Sequence, residues 1–105
     1  MSLNYWAFIY LSPGFSPEKN TLETSSPNCR FKAIGIDVFK KELVIDIAKK
    51  LVAEGVQTIE ICGGFGPHWV TKISEAIENK VPVGTVMYGP EFRKPLLDVM
   101  KFESH

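Results

Sequence analysis

The sequence contains few of the residues that mark secreted or metal-binding proteins. Only two of its 105 residues are cysteine and only two are histidine. The cysteines, Cys29 and Cys62, provide neither a disulfide framework nor the Cys-x-x-Cys spacing of a zinc site. We therefore expect a reducing, cytoplasmic location, no zinc centre and no bound cofactor. Among metal sites, these counts leave only one for a hard cation such as Mg²⁺ or Ca²⁺ as an alternative.

The chain also lacks an excess of charge and a membrane-length apolar run. Twelve basic and twelve acidic side chains cancel, which argues against a nucleic-acid or anionic-membrane partner. The apolar run Tyr5–Leu11 is too short to span a bilayer and is not followed by a signal-peptide cleavage pattern. The length and the 45% hydrophobic content predict a single globular domain over residues 1–105.

Alternating or continuous apolar patterns predict four strands. Their predicted bounds are Tyr5–Leu11 and residues 29–36, 56–62 and 81–88. Residues 12–28 are rich in proline, serine and asparagine and predict a long loop.

Helical patterns lie between the later strands. Asp37 is predicted to cap the first helix, in which Phe39, Leu43, Ile47 and Leu51 recur every four residues, and Gly55 to end it. A second helix is predicted to begin at Gly66 and Pro67 and to end at Asn79. A short helix is also expected over residues 95–102, with Leu96, Leu97, Val99 and Met100 facing inward.

This order, β-β-α-β-α-β with a C-terminal helix, predicts an α/β fold with a small mixed or parallel four-stranded sheet. Successive right-handed crossovers that move in one direction would place both helices on one face of a two-layer domain. The other face would be open to sheet-to-sheet association, so we expect a homo-oligomer. A first strand parallel to the rest would let the loop over residues 12–28 close over a site at the carboxyl ends of the strands.

The segment 62–68, Cys-Gly-Gly-Phe-Gly-Pro-His, lies where a strand should pass into a helix. Bare backbone amides beside a helix N-terminus favour anions, so this loop predicts a site for a small anionic molecule. Its predicted ligand-binding residues, with two from neighbouring strand ends, are Gly63, Gly64, Phe65, Gly66, Asp37 and Tyr88. The alternative is a glycine-rich turn that only lets the helix pack on the sheet.

Three residues near this loop are candidates for catalysis. Cys62 could act as a nucleophile, Glu60 as a base and His68 as an acid or base. Each also has a simpler interpretation: Cys62 as a small buried side chain, His68 as an exposed one, and Glu60 as a solvated carboxylate or a partner of Arg30 or Lys32.

Two segments carry a resemblance to a known family. Residues 5–10, Tyr-Trp-Ala-Phe-Ile-Tyr, are followed by Pro13 and Gly14, and residues 55–67 read Gly-Val-Gln-Thr-Ile-Glu-Ile-Cys-Gly-Gly-Phe-Gly-Pro. The chain thereby resembles a family of short bacterial proteins known only as a domain of unknown function. The resemblance extends over nearly the whole chain and implies no activity, substrate or catalytic residue.

Three functions agree with these patterns. The preferred one is binding of a small anionic molecule, since it requires only the glycine-rich loop. The second is an isomerase- or lyase-like enzyme that uses Cys62 or Glu60. The third is an oligomeric interaction module without chemistry in a pocket.

Overall fold

The central strand of the sheet, β1 (Tyr5–Leu11), is hydrogen-bonded in parallel to a strand on each side. The computed structural model describes residues 2–100, which form a five-stranded sheet and three α-helices. The other elements are β2 (Thr21–Ser25), β3 (Arg30–Ile36), α1 (Leu43–Ala53), β4 (Thr58–Ile61), α2 (Pro67–Ala76), β5 (Val83–Thr85) and α3 (Pro90–Val99). The strand order is β2-β3-β1-β4-β5, and only β2 is antiparallel to its neighbour.

The α/β class is confirmed, but the predicted four-strand count is wrong. Strand β2 lies within the predicted loop over residues 12–28. All five of its residues are exposed, so it has no apolar alternation by which the sequence could reveal it. The fourth predicted strand is also shorter than expected, since β5 contains three residues.

Two helix starts differ from the predictions. Helix α1 begins at Leu43, and the Asp37 side chain instead accepts a hydrogen bond from the Phe39 amide at 3.1 Å, which closes a local turn. As a result Phe39 is exposed rather than part of the buried stripe. Helix α3 begins at Pro90, five residues before the predicted Pro95, and the predicted end at residue 102 lies outside the described residues.

The core lies between one face of the sheet and helices α1 and α2. Ala7 and Ile9 of β1 are completely buried there, as are Val44 and Ala48 of α1 and Ile73 of α2. Both crossovers, β3 to β4 and β4 to β5, proceed in the same direction along the sheet, so their helices share a face.

Aromatic side chains line the opposite face of the sheet. Trp6 contacts Phe31 with ring centroids 4.3 Å apart, and Tyr10 meets Phe15 edge-on. A Cβ at residue 35 would lie 2.7 Å from the Phe15 ring, so glycine at this position lets Phe15 fold onto the sheet. These side chains are half-buried because they cover one another.

An ionic cluster on the helix-covered face holds the edge strand β2. Arg30 and Lys32 of β3 pair with Glu23 of β2 at 2.8 and 3.7 Å, and Lys32 also pairs with Glu54 after α1 at 3.0 Å. The hydrogen bond from Lys32 lowers the pKa of Glu54, and the one from Arg30 lowers the pKa of Glu23. Burial and a hydrogen bond to Glu54 raise the pKa of Tyr5, whose hydroxyl donates at 2.9 Å. The cluster therefore links β2, β3 and α1 through charge.

Lys32→Met should remove a stabilisation that depends on pH. Because the pKa of folded Glu54 lies below its unfolded value, the pair stabilises the fold above the unfolded pKa and ceases to do so as the pH falls through the folded pKa. We expect the variant to be less stable than wild type at neutral pH, with the difference shrinking from about pH 5 to pH 3 in urea unfolding.

Lys94→Met is the matched control, because it removes only the exposed pair between Lys94 and Asp98 at 3.3 Å. Its stability difference from wild type should stay small at every pH. Parallel pH curves for wild type and Lys32→Met would contradict the role given to the cluster.

Candidate functional site

The carboxyl ends of the four parallel strands meet at one edge of the sheet. Leu11 ends β1, Asp37 follows β3, Cys62 follows β4 and Val86 follows β5. Because β1 is parallel to its two neighbours, residues 12–15 follow it at this same edge, as predicted for a parallel first strand. The Ser12 amide donates a hydrogen bond to the Ile36 carbonyl at 2.9 Å. Ligands of open α/β sheets bind beyond this kind of edge.

Beside a third cavity of about 170 Å³, which Arg93 borders, two neighbouring cavities with a common wall lie at this edge. Their volumes are about 130 and 270 Å³, and both are bordered by Leu11, Cys62, Gly64 and Met100. The smaller one is completed by Val38, Phe39 and Lys41, and the larger one by Phe8, Gly63, Val86, Tyr88 and Leu96. The lining is mainly apolar, as in small-molecule sites.

Cys62 lies in the wall between the two cavities. Its amide donates to the Ile9 carbonyl at 3.1 Å, and its Sγ accepts a hydrogen bond from the Leu11 amide at 3.3 Å. The side chain is half-buried. These contacts fix the thiol at the end of the two central strands.

The other two catalytic candidates lie outside the cavities. Glu60 is exposed on the aromatic face of the sheet, in register with Phe8, and His68 is exposed in the first turn of α2. The interpretation of Glu60 as a partner of Arg30 or Lys32 is wrong, since those cations lie on the helix-covered face with Glu23 and Glu54. The structure thus brings Cys62, but neither Glu60 nor His68, to the cavities.

The fold requires some residues of the glycine-rich loop but does not require glycine at position 64. Residues Gly63–Phe65 form a single 3₁₀ turn, and Phe65 is buried in the core, away from the two cavities. Gly66 precedes α2 with φ 85° and ψ 158°, a conformation that is nearly exclusive to glycine. At Gly64, by contrast, an added Cβ would make only ordinary contacts at 3.5 Å or more.

Polar groups without a protein partner face or flank the cavities. Among residues 2–100, the amides of Gly63 and Gly64 donate no hydrogen bond, and Lys41 forms no ion pair. Lys41 is half-buried and lines the smaller cavity. An ammonium group and two amides are the kind of donors that hold a carboxylate.

The two remaining predicted ligand-binding residues differ in position. Tyr88 lines the larger cavity with 46% of its surface exposed. Asp37 borders neither cavity, and its carboxylate is engaged by the Phe39 amide. The loop over residues 12–28, which was predicted to close over the site, contributes no residue that borders either cavity.

A family model covers residues 4–101, which include all five strands and the glycine-rich loop. The chain belongs to this family, a family of unknown function designated DUF6506. No curated protein and no solved structure matches the chain. Membership in DUF6506 therefore confirms the predicted resemblance to a domain of unknown function and adds no activity to it.

Sequence reasoning missed several residues that line the cavities in this DUF6506 chain. Leu11 and Val38 could have been found, because they end or closely follow predicted strands at the carboxyl edge. Lys41 carried no such signal, since its position depends on the turn before α1. Met100 was predicted only to face inward from the last helix, and the packing of α3 brings it to the cavities.

Two kinds of feature are absent from the described residues. Within residues 2–100 no three histidine, cysteine or acidic side chains come together as a metal-binding cluster. In the same part of the chain, no helix has the length and apolar character needed to cross a membrane.

Two alanine variants should distinguish Gly66, which the fold requires, from Gly64, which borders the cavities. They are Gly66→Ala and Gly64→Ala. Strain at positive φ should make Gly66→Ala less stable by about 1–3 kcal/mol. Gly64→Ala should change the free energy of unfolding by less than about 1 kcal/mol, since its backbone is not strained and the methyl group has room. Urea unfolding measures both, and equal losses would mean that Gly64 also has a structural role.

Proposed function

We propose that this chain binds a small amphipathic anion, with a carboxylate group and a short apolar body, at the carboxyl edge of the sheet. The observation that carries the proposal is the pair of apolar cavities that meet at Gly64 beside an unpaired lysine, Lys41. Their combined volume is near the lower end of the range for small-molecule sites, about 300–1,000 Å³.

The apolar part of the ligand follows from the lining. Leu11, Val86, Leu96 and Met100 offer hydrocarbon surface on several sides of the larger cavity. Transfer of an apolar chain into such a cavity is favourable by about 0.8 kcal/mol for each buried CH₂. A wholly polar anion would leave this surface unused.

The anionic part follows from Lys41 and the free amides of Gly63 and Gly64. Among residues 2–100, Lys41 is the one cation that lines the two cavities, and no acidic side chain from this range lines either of them. One ammonium group with neutral amide donors carries a single positive charge, which a singly charged carboxylate neutralises. This supports a monocarboxylate as the ligand class.

An isomerase- or lyase-like enzyme is the second candidate, and the position of Cys62 favours it. The thiol lies in the wall of both cavities and could exchange a proton with a bound carbonyl compound. However, neither a carboxylate nor a histidine of the described part of the chain lines these cavities to assist it. Binding therefore requires fewer groups than catalysis and is the preferred function.

Thermal unfolding with two six-carbon probes and inorganic phosphate tests the proposal. Hexanoate should raise the midpoint, hexanol should raise it less, and inorganic phosphate should leave it unchanged. A ligand at a hundredfold excess over its Kd stabilises the native state by about 2.7 kcal/mol. Lack of any shift with hexanoate would overturn the binding site, and equal shifts with hexanoate and hexanol would overturn the anionic part.

Two variants and a matched control locate the effect. Lys41→Met should reduce the shift caused by hexanoate, and Gly64→Val should abolish it by filling the space where the cavities meet. Lys40→Met is the control, because Lys40 is exposed and lines neither cavity. An equal loss in Lys40→Met and Lys41→Met would indicate a general charge effect.

A further inference from the structure

Exposed apolar side chains are concentrated around the carboxyl edge of the sheet. Six of them, here called the carboxyl rim, come from the turn before α1, the segment after β5 and helix α3: Phe39, Met87, Tyr88, Phe92, Leu97 and Val99. Among the other residues of the described range 2–100, only Leu3 and Leu22 expose more than half of a large apolar residue. Such clustering marks an interaction surface.

Within residues 2–100, part of the apolar surface of helix α3 is left uncovered. Phe92, Leu96, Val99 and Met100 recur at spacings of three and four and form one apolar stripe. Leu96 and Met100 are half-buried against the cavities, whereas Phe92 and Val99 are 58% and 80% exposed. Half of the stripe is therefore left for another molecule.

The exposed area is large enough for a stable interface. At about 150–250 Å² for a whole aromatic side chain, the exposed fractions of Phe39, Tyr88 and Phe92 amount to roughly 270–450 Å². Met87 and Val99 add to this, each with three quarters or more exposed. The rim thus exceeds the patch of a typical monomer and approaches the ~800 Å² that one partner contributes to a standard interface.

The charges around the rim identify the partner. Side chains of both signs border the rim along the chain, with Lys40, Lys41, Arg93 and Lys94 against Glu42, Glu91 and Asp98. In a dimer with two-fold symmetry, a surface meets the same surface of the second copy. A patch with charges of one sign would therefore repel itself, whereas a patch with charges of both signs can form ion pairs across the interface. An anionic surface or nucleic acid would require an excess of positive charge.

We propose that the carboxyl rim is a self-association surface, covered in solution by the rim of a second copy of this chain. This differs from the sheet-to-sheet association expected from the sequence. On the aromatic face of the sheet, Trp6 and Phe31 already cover each other, whereas Phe92 and Val99 have no such cover. The proposal does not depend on the ligand proposed above.

Analytical ultracentrifugation over a hundredfold range of protein concentration tests the interface. Wild type should approach the mass of two 11.8 kDa chains as the concentration rises. Phe92→Asp should weaken the dimer by at least about tenfold, because it buries a charge at the centre of the interface. Val99→Asp, at the other end of the exposed stripe, should have the same effect.

Leu22→Asp is the matched control, because Leu22 is 63% exposed but lies on β2, on the aromatic face of the sheet. It should dimerise as wild type does, and circular dichroism should show all three variants folded. A wild type that stays monomeric throughout would overturn the proposal. Dissociation by Leu22→Asp, with both rim variants still dimeric, would assign the interface to the sheet face instead.

Discussion

The parallel pairing of β1 with a strand on each side is the constraint on which the rest of the structure depends. Ala7 and Ile9 lie fully buried under the helices, and Trp6 and Phe8 point to the opposite face. Because β1 runs parallel to β3 and β4, the ends of the central strands must open at one edge. That edge holds Cys62, both cavities and the apolar rim.

The glycine-rich loop shows how fold and site share a short segment. Phe65 anchors the loop in the core, and Gly66 turns the chain into α2. Between these fixed points and the end of β4, Gly63 and Gly64 keep amides that the described residues leave unpaired. The loop is therefore a structural turn and, in our proposal, also the polar end of a ligand site.

The sequence predicted the elements whose burial produces a clear pattern. The apolar run of β1 and the Gly66–Pro67 helix start were both confirmed. Strand β2 could not be predicted, because all five of its residues are exposed and its backbone pairing with β3 leaves no apolar alternation in the sequence. For the cavities, only their location at the carboxyl edge could be predicted from the sequence. Lys41 lies in the turn before α1 and Met100 directly follows α3, and the predicted starts of both helices were wrong.

The most direct test of the carboxyl-edge site is a ¹⁵N and methyl NMR titration of the wild-type chain with hexanoate. We predict that the amide resonances of Gly63 and Gly64 and the methyl resonance of Met100 shift together and saturate. The amides of Gly35 and Gly84, which lie within strands and away from both cavities, should not move. Shifts confined to Gly35 and its aromatic neighbours, or no saturable shift at Gly63 and Gly64, would contradict the account.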